Sequence, residues 1–144
     1  MLGLGLGLSI KDFTRVIKTP KDFLGYELGD RFTRHHRVVE YFQQVAIARP
    51  NNVKFLQYGE TYEHRDLILA FFGTPENLKK LEEIRQNHQN HTASEKLAIV
   101  WLSYNVHGNE SSGTEAAMQT AYRLLTDKAE YLANTIVIMD PCLN

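Results

Sequence analysis

Residues 97–125, LAIVWLSYNVHGNESSGTEAAMQTAYRLL, decide the fold. Leu97 to Leu102 is an unbroken apolar run that contains Trp101, the signature of a buried strand. A polar, glycine-bearing stretch, Ser103 to Thr114, follows it. Ser112 with Glu115 three residues later forms a capping-box pattern. Ala117, Met118, Ala121, Leu124 and Leu125 then recur at helical spacing. The unit is strand, turn, helix, and it is the repeating unit of an α/β layer.

Its neighbours extend the pattern. Upstream, Thr74-Pro75 is a helix start, since Thr can cap and Pro fits the first helical position; Leu78, Leu81 and Ile84 follow on one side. Gln86 to Ser94, rich in Asn, Gln and His, reads as a loop. Val53 to Gly59 and Leu67 to Phe72 read as two strands, the second buried on both faces, joined like a hairpin through Gly59-Glu60-Thr61. Phe32 to Ala48 carries Val38, Phe42, Val45 and Ile47 near helical spacing and is closed by Pro50 and Asn51-Asn52. Downstream, Thr135 to Met139 is another buried-type strand. The order is helix, strand, strand, helix, strand, helix, strand, which predicts an α/β fold with a mixed sheet flanked by helices.

The start of the chain stands apart. MLGLGLGLSI has no preceding Lys or Arg and no small-x-small cleavage site, so a frayed leader describes it better than a signal peptide. Thr19 to Asp30, with Pro and two Gly, suits an irregular segment lying over the body. The expected division is residues 1–22 as leader and irregular segment, and 23–144 as one body.

Composition bounds the partners. At 144 residues with 43% hydrophobic and 23% charged, the chain has the size of one globular domain and needs no disulfide or metal merely to fold. Sixteen Lys and Arg against seventeen Asp and Glu leave a charge of −1, no global field for nucleic acid or an anionic membrane. Cys142 has no partner cysteine, so no intrachain disulfide forms. No apolar run approaches the ~20 residues of a membrane span.

Chemistry concentrates in Ser103 to Thr114, where a loop follows the carboxyl end of a strand and ligands of α/β sheets gather. His107 and Glu110, an imidazole and a carboxylate on one turn, can converge on a small cation such as zinc, with Gly108 easing the turn. A structural capping role for the same pair is equally open. GNESSG has the glycine spacing of a phosphate loop, but Thr114 stands where lysine should be and Glu110 would repel phosphate. Ser111 lacks the preceding glycine of a nucleophile elbow. His88 and His91 lie in a polar stretch and read as solvated. Arg31, Arg34, His35, His36 and Arg37 make a short basic patch, read as a solvated face or a contact with a further segment rather than a nucleic-acid site, because no aromatic platform accompanies it.

In three places the chain resembles the zinc carboxypeptidases of the pancreatic carboxypeptidase A and B type, in their bacterial branches. Tyr58-Gly59-Glu60-Thr61-Tyr62-Glu63-His64-Arg65 looks like the family's Gly-x-Thr-x-Glu-Gly-Arg segment, with His64 in place of the usual Gly. His107-Gly108-Asn109-Glu110 matches its His-x-x-Glu zinc motif. Ile136 to Asn144 is similar to the strand leading into its Asn-Pro-Asp-Gly segment, cut after the Asn.

The resemblance runs from about Phe23 to Asn144 and implies that 23–144 is the N-terminal part of a catalytic domain truncated at its C-terminus. It implies hydrolysis of a peptide bond near a C-terminus by zinc-bound water, with a peptide or protein C-terminus as substrate. Zinc is the implied cofactor, and His107 and Glu110 the first two ligands. The third ligand, a histidine, and the catalytic and substrate-binding residues would lie beyond Asn144. Asn109 stands where the pancreatic enzymes carry a substrate-contacting arginine. The isolated chain is thus expected to be inactive, and the location periplasmic or secreted. Missing strands would leave an exposed sheet edge or apolar face around Thr135 to Met139 and favour self-association. The alternative is a non-catalytic α/β binding module that keeps the scaffold.

Overall fold

The computed structural model of the chain describes residues 16–92 and 96–143. The leader reading falls largely outside them. Within them, Thr19 to Asp30 is more ordered than its composition predicts. Thr19 accepts a hydrogen bond from the Asp22 amide and opens a one-turn helix, α1 (Pro20–Leu24), and Gly25 closes it at a left-handed φ of 82°. The expected boundary after residue 22 cuts through this helix. The capping pair of Thr-Pro and Gly supplies the order that a count of Pro and Gly alone does not reveal.

The second helix, α2 (His35–Ala48), buries Val38, Val39, Tyr41, Phe42, Val45 and Ala48 as one stripe. Ile47, expected on that stripe, is 57% exposed, because it falls one residue short of the position that Ala48 takes. Arg37 ties the two helices together: its guanidinium lies 4.5 Å from the Phe23 ring centroid and donates to the Phe23 carbonyl at 3.0 Å.

Strands β1 (Val53–Glu60) and β2 (Asp66–Phe72) form the expected antiparallel hairpin, paired from Val53↔Phe72 to Glu60↔Asp66. The register shifts between Gln57 and Gly59, so Tyr58 is the extra residue of a bulge. Thr74 caps a short helix, α3 (Pro75–Lys79), and α4 (Leu81–Gln89) continues into the stretch read as a loop. Glu82 and Glu83 in its first turn and the Glu82–Arg85 pair outweigh the poor helix propensity of Asn and His.

Strand β3 (Ala98–Ser103), helix α5 (Ser111–Leu124), a 3-10 turn (Ala129–Leu132) and strand β4 (Thr135–Asp140) complete the described chain. The sheet order is β1-β2-β4-β3, with β2 antiparallel to β1 and β4, and β3 parallel to β4. It is the mixed sheet flanked by helices that the sequence predicts. The helices α2 and α5 cover one face, packing on Ile68, Ala70, Phe72, Val137 and Met139; α4 covers part of the other through Leu81 and Ile84 against Leu69, Ile136 and Ile138. Each fully buried Val, Ile, Phe or Met side chain of this core contributes roughly 1.5–3 kcal/mol.

Two strand environments differ from expectation. The apolar run of β3 is not buried as expected: Trp101 is 56% exposed, since β3 lies at the edge and α4 reaches only its start, through Leu97 just before the strand and Ile99. Strand β4 is buried as read, but it is interior, flanked by β2 and β3, so the open edge or apolar face expected around it does not occur there. Among the described residues the open edges belong to β1 and β3.

Candidate metal centre

Because β1, β3 and β4 run in one direction, Glu60, Ser103 and Asp140 all end at the same rim of the sheet. The turn after β1 and the loop after β3 therefore share that rim, where α/β sheets carry their ligands.

The β3 ladder continues one step beyond the strand: the Tyr104 amide donates to the Asp140 carbonyl at 2.8 Å and the Leu143 amide to the Tyr104 carbonyl at 3.2 Å. Asn105 then turns the chain out of the sheet at a left-handed φ of 54°, a conformation that Asn tolerates better than most residues. Its side-chain amide donates to Cys142 Sγ at 3.5 Å. Burial pushes the Cys142 thiol above its usual range, in keeping with a small buried residue rather than a nucleophile. The first turn of α5 is seated directly on this bend, since a Cβ on Gly113 would lie 3.1 Å from the Asn105 amide nitrogen.

His107 and Glu110 emerge from this anchored bend. The Glu110 amide donates to the His107 carbonyl at 3.0 Å, closing the turn, and His107 Nδ1 lies 3.1 Å from Glu110 Oε1. Both side chains are more than half exposed. Glu110 is also the N-cap residue of α5, where the helix's unpaired amides favour a negative charge. The capping box expected from Ser112 and Glu115 does not form. The helix is capped two residues earlier, at Glu110, and the Glu115 carboxylate, 6% exposed, accepts from the Gly29 amide at 2.6 Å and the Thr33 hydroxyl at 2.7 Å. A long-range tie to the segment before α2 has replaced a local one.

The donor pair fits half of a zinc site. Tetrahedral zinc with nitrogen and oxygen ligands at about 2.0–2.2 Å sets those donors roughly 3.3 Å apart, close to the separation here. Among the described residues no cluster of three or more metal-binding side chains occurs, so His107 and Glu110 have no third partner there. His88 and His91 likewise form no such cluster.

Other sequence candidates are placed without chemistry. The guanidinium of Arg31 lies 4.6 Å from the centroid of the Tyr26 ring. Arg34, His35 and His36 line an open groove of about 690 Å³ together with His64 and Arg65, and Glu40 and Asp66 in the same wall balance the two arginines. The turn that carries His64 folds around Thr61, whose hydroxyl accepts from the Glu63 and Arg65 amides, each at 3.2 Å. His64 there has a φ of 59°, which accounts physically for a glycine at this point of the resembling segment. Sequence reading missed Tyr58 and Asp140, whose side chains bond at 2.9 Å at the same rim.

Known structures share this architecture. Bovine thrombin-activatable fibrinolysis inhibitor, in complex with tick carboxypeptidase inhibitor, superposes with a TM-score of 0.56 at 12% identity, over 78% of this chain and 31% of that one. Carboxypeptidase A from Helicoverpa armigera gives 0.57 at 20% identity, over 78% of this chain and 24% of that one. A further structure of thrombin-activatable fibrinolysis inhibitor gives 0.55 at 14% identity, over 78% and 25%. The chain thus spans about a quarter to just under a third of the length of these structures, and at such identities the likeness establishes the fold. No curated protein sequence matches significantly. The family model for zinc carboxypeptidases matches residues 38–144, more than half of the chain and inclusive of the His107–Glu110 turn, and the chain belongs to that family.

Proposed function

We propose that this chain is the metal-binding N-terminal part of a zinc carboxypeptidase that hydrolyses peptide bonds near a C-terminus. The observation that carries the reading is the His107–Glu110 pair, 3.1 Å apart on the loop after β3, in a chain of this family. His107 would bind through an imidazole nitrogen and Glu110 through its carboxylate. Zinc supplies a Lewis acid that brings its bound water toward neutral pKa. The protein's part is to hold the two donors on a turn closed by the Glu110 amide and seated on α5, so that little ordering remains when metal arrives.

A catalytic zinc takes three protein ligands and keeps one position open. Two donors from this chain hold zinc weakly and hydrolyse nothing unaided. Competition with a chromophoric chelator is expected to show weak zinc binding by the 144-residue chain, abolished in His107→Ala and Glu110→Gln. Equal binding by wild type and both variants refutes the metal role and leaves a scaffold without chemistry. Peptidase activity belongs to a longer chain that adds a third histidine ligand, and is expected to vanish there with His107→Ala.

Two further expectations accompany this reading. The location is periplasmic or secreted, which cell fractionation tests. Self-association runs through the β3 edge, whose six residues Ala98–Ser103 include no charge and no proline.

A further inference from the structure

We propose that Tyr58 and Asp140 form a positioning pair that fixes the root of the His107–Glu110 loop; the inference rests on the metal-binding reading above. Tyr58 is the bulged residue of an edge strand, and the bulge aims its side chain across β2 to the interior strand β4. Its hydroxyl donates to Asp140 Oδ2 at 2.9 Å, although the tyrosine itself is 44% exposed and could give that proton to water.

The partner is an expensive one. Asp140 is only 3% exposed, and its other oxygen, Oδ1, is buried without a hydrogen-bond partner among the described residues. Such a group costs stability wherever it stands, so its use here is to specify geometry. Burial raises its pKa, against the lowering effects of the Tyr58 bond and of the Cys142 backbone amide. Partial burial of its own hydroxyl, together with the bond to Asp140, pushes Tyr58 up to about 12, so the tyrosine stays a donor throughout the physiological range.

What the pair holds is the base of the metal-binding loop. The Asp140 carbonyl receives the Tyr104 amide, and Leu143, just past Asp140, returns a bond to the Tyr104 carbonyl. Cys142, two residues after Asp140, receives the Asn105 amide group. Gly113 of α5 closes on the Asn105 backbone from the other side. Moving the end of β4 therefore moves Tyr104 and Asn105, and with them the turn that sets His107 against Glu110.

The test compares Tyr58→Phe, Asp140→Asn and Tyr41→Phe in the 144-residue chain. Two readouts are taken: the imidazole ¹H–¹⁵N signals of His107 without metal, and zinc affinity by chelator competition. Tyr58→Phe is expected to shift or broaden the His107 ring signals and to weaken zinc binding at least threefold, with an unchanged far-ultraviolet spectrum. Asp140→Asn keeps an oxygen acceptor for Tyr58 and is expected to perturb the His107 ring signals less than Tyr58→Phe does; a larger perturbation counts against the Tyr58 bond as the positioning contact. Tyr41→Phe also removes a tyrosine hydrogen bond, the one to the Lys18 carbonyl at 3.1 Å, and is expected to leave both readouts unchanged. The inference is overturned if Tyr58→Phe leaves the ring signals unchanged, or if Tyr41→Phe perturbs them equally. Should wild type bind zinc no better than His107→Ala, the metal reading fails, while the ring signals still decide the positioning pair.

Discussion

Replacing Glu115 tests whether one buried carboxylate holds the N-terminal segment to the body. Its Oε1 accepts from Thr33 Oγ1 at 2.7 Å and its Oε2 from the Gly29 amide at 2.6 Å. The single Thr33 proton is thereby used, so the contact of Thr33 Oγ1 with Tyr26 Oη at 2.9 Å must be a donation from Tyr26. Protons run Tyr26 to Thr33 to Glu115, with Gly29 converging on the same carboxylate. Hydrogen bonds to a charged group contribute about 1.5–3 kcal/mol each, offset here by the cost of burying the charge. Glu115→Ala should therefore cost about 3 kcal/mol, or about 10 °C in Tm for a chain of this size. Glu115→Gln can keep its oxygen on Gly29 and offer its amide to Thr33, whose own proton then turns to Tyr26; the loss should be about 1 kcal/mol. Thr33→Val leaves one carboxylate oxygen unpaired, for about 2 kcal/mol, and combined with Glu115→Ala should cost less than the sum. Urea and thermal unfolding measure all four. If Glu115→Ala matches wild type, or Glu115→Gln is worse than Glu115→Ala, the assigned proton order is wrong.

Two further outcomes follow from burial and from the open edge. Burial holds the pKa of His35 below its ordinary 6.5, against a backbone hydrogen bond with Asp66. The unfolded chain therefore takes the proton first, and stability present above about pH 6.5 is lost as pH falls through the folded-state value. Urea unfolding from about pH 7 to about pH 5 should show a shallower decline in His35→Gln than in wild type, and parallel curves would refute the assignment. The β3 edge should make the chain associate with rising concentration, whereas β1 carries Lys54, Glu60 and a bulge that discourage pairing. Trp101→Lys should shift sedimentation toward monomer; a wild-type chain that stays monomeric at high concentration sinks the idea.

The elements legible in the sequence were those whose signal is local. Thr74-Pro75 named a helix start, and the Thr74 hydroxyl does accept from the Asn77 amide at 3.3 Å. Leu67 to Phe72 named a strand buried on both faces, and Ile68, Leu69, Ala70 and Phe72 are buried. The readings that failed needed tertiary information. An apolar run looks the same whether the strand is interior or at an edge: β4 is buried as its sequence reads, while β3, read as buried, lies at an edge, and the open edge expected beside β4 lies there instead. Ser112 and Glu115 have the spacing of a capping box, yet the carboxylate gains more from the Gly29 amide and the Thr33 hydroxyl, 86 and 82 residues distant in sequence.

The site divides along the same line. His107 and Glu110 are three residues apart on a single turn, so their spacing carried the geometry, and the chain's own backbone bond from Glu110 to His107 delivers it. What braces that turn comes from elsewhere: Tyr58 from an edge strand, Asp140 and Cys142 from the end of β4, and the close approach of Gly113. No window of sequence contains these together. The one hint lay in the composition of the strand ends. An Asp closing an otherwise apolar strand, Thr135–Asp140, is costly to bury, and a residue kept there at such a cost marks a place where the fold needs direction more than stability. Asp140 meets that description, and the same reasoning applied to Glu115 at the start of α5 finds the second carboxylate that ties distant segments to this loop's flank.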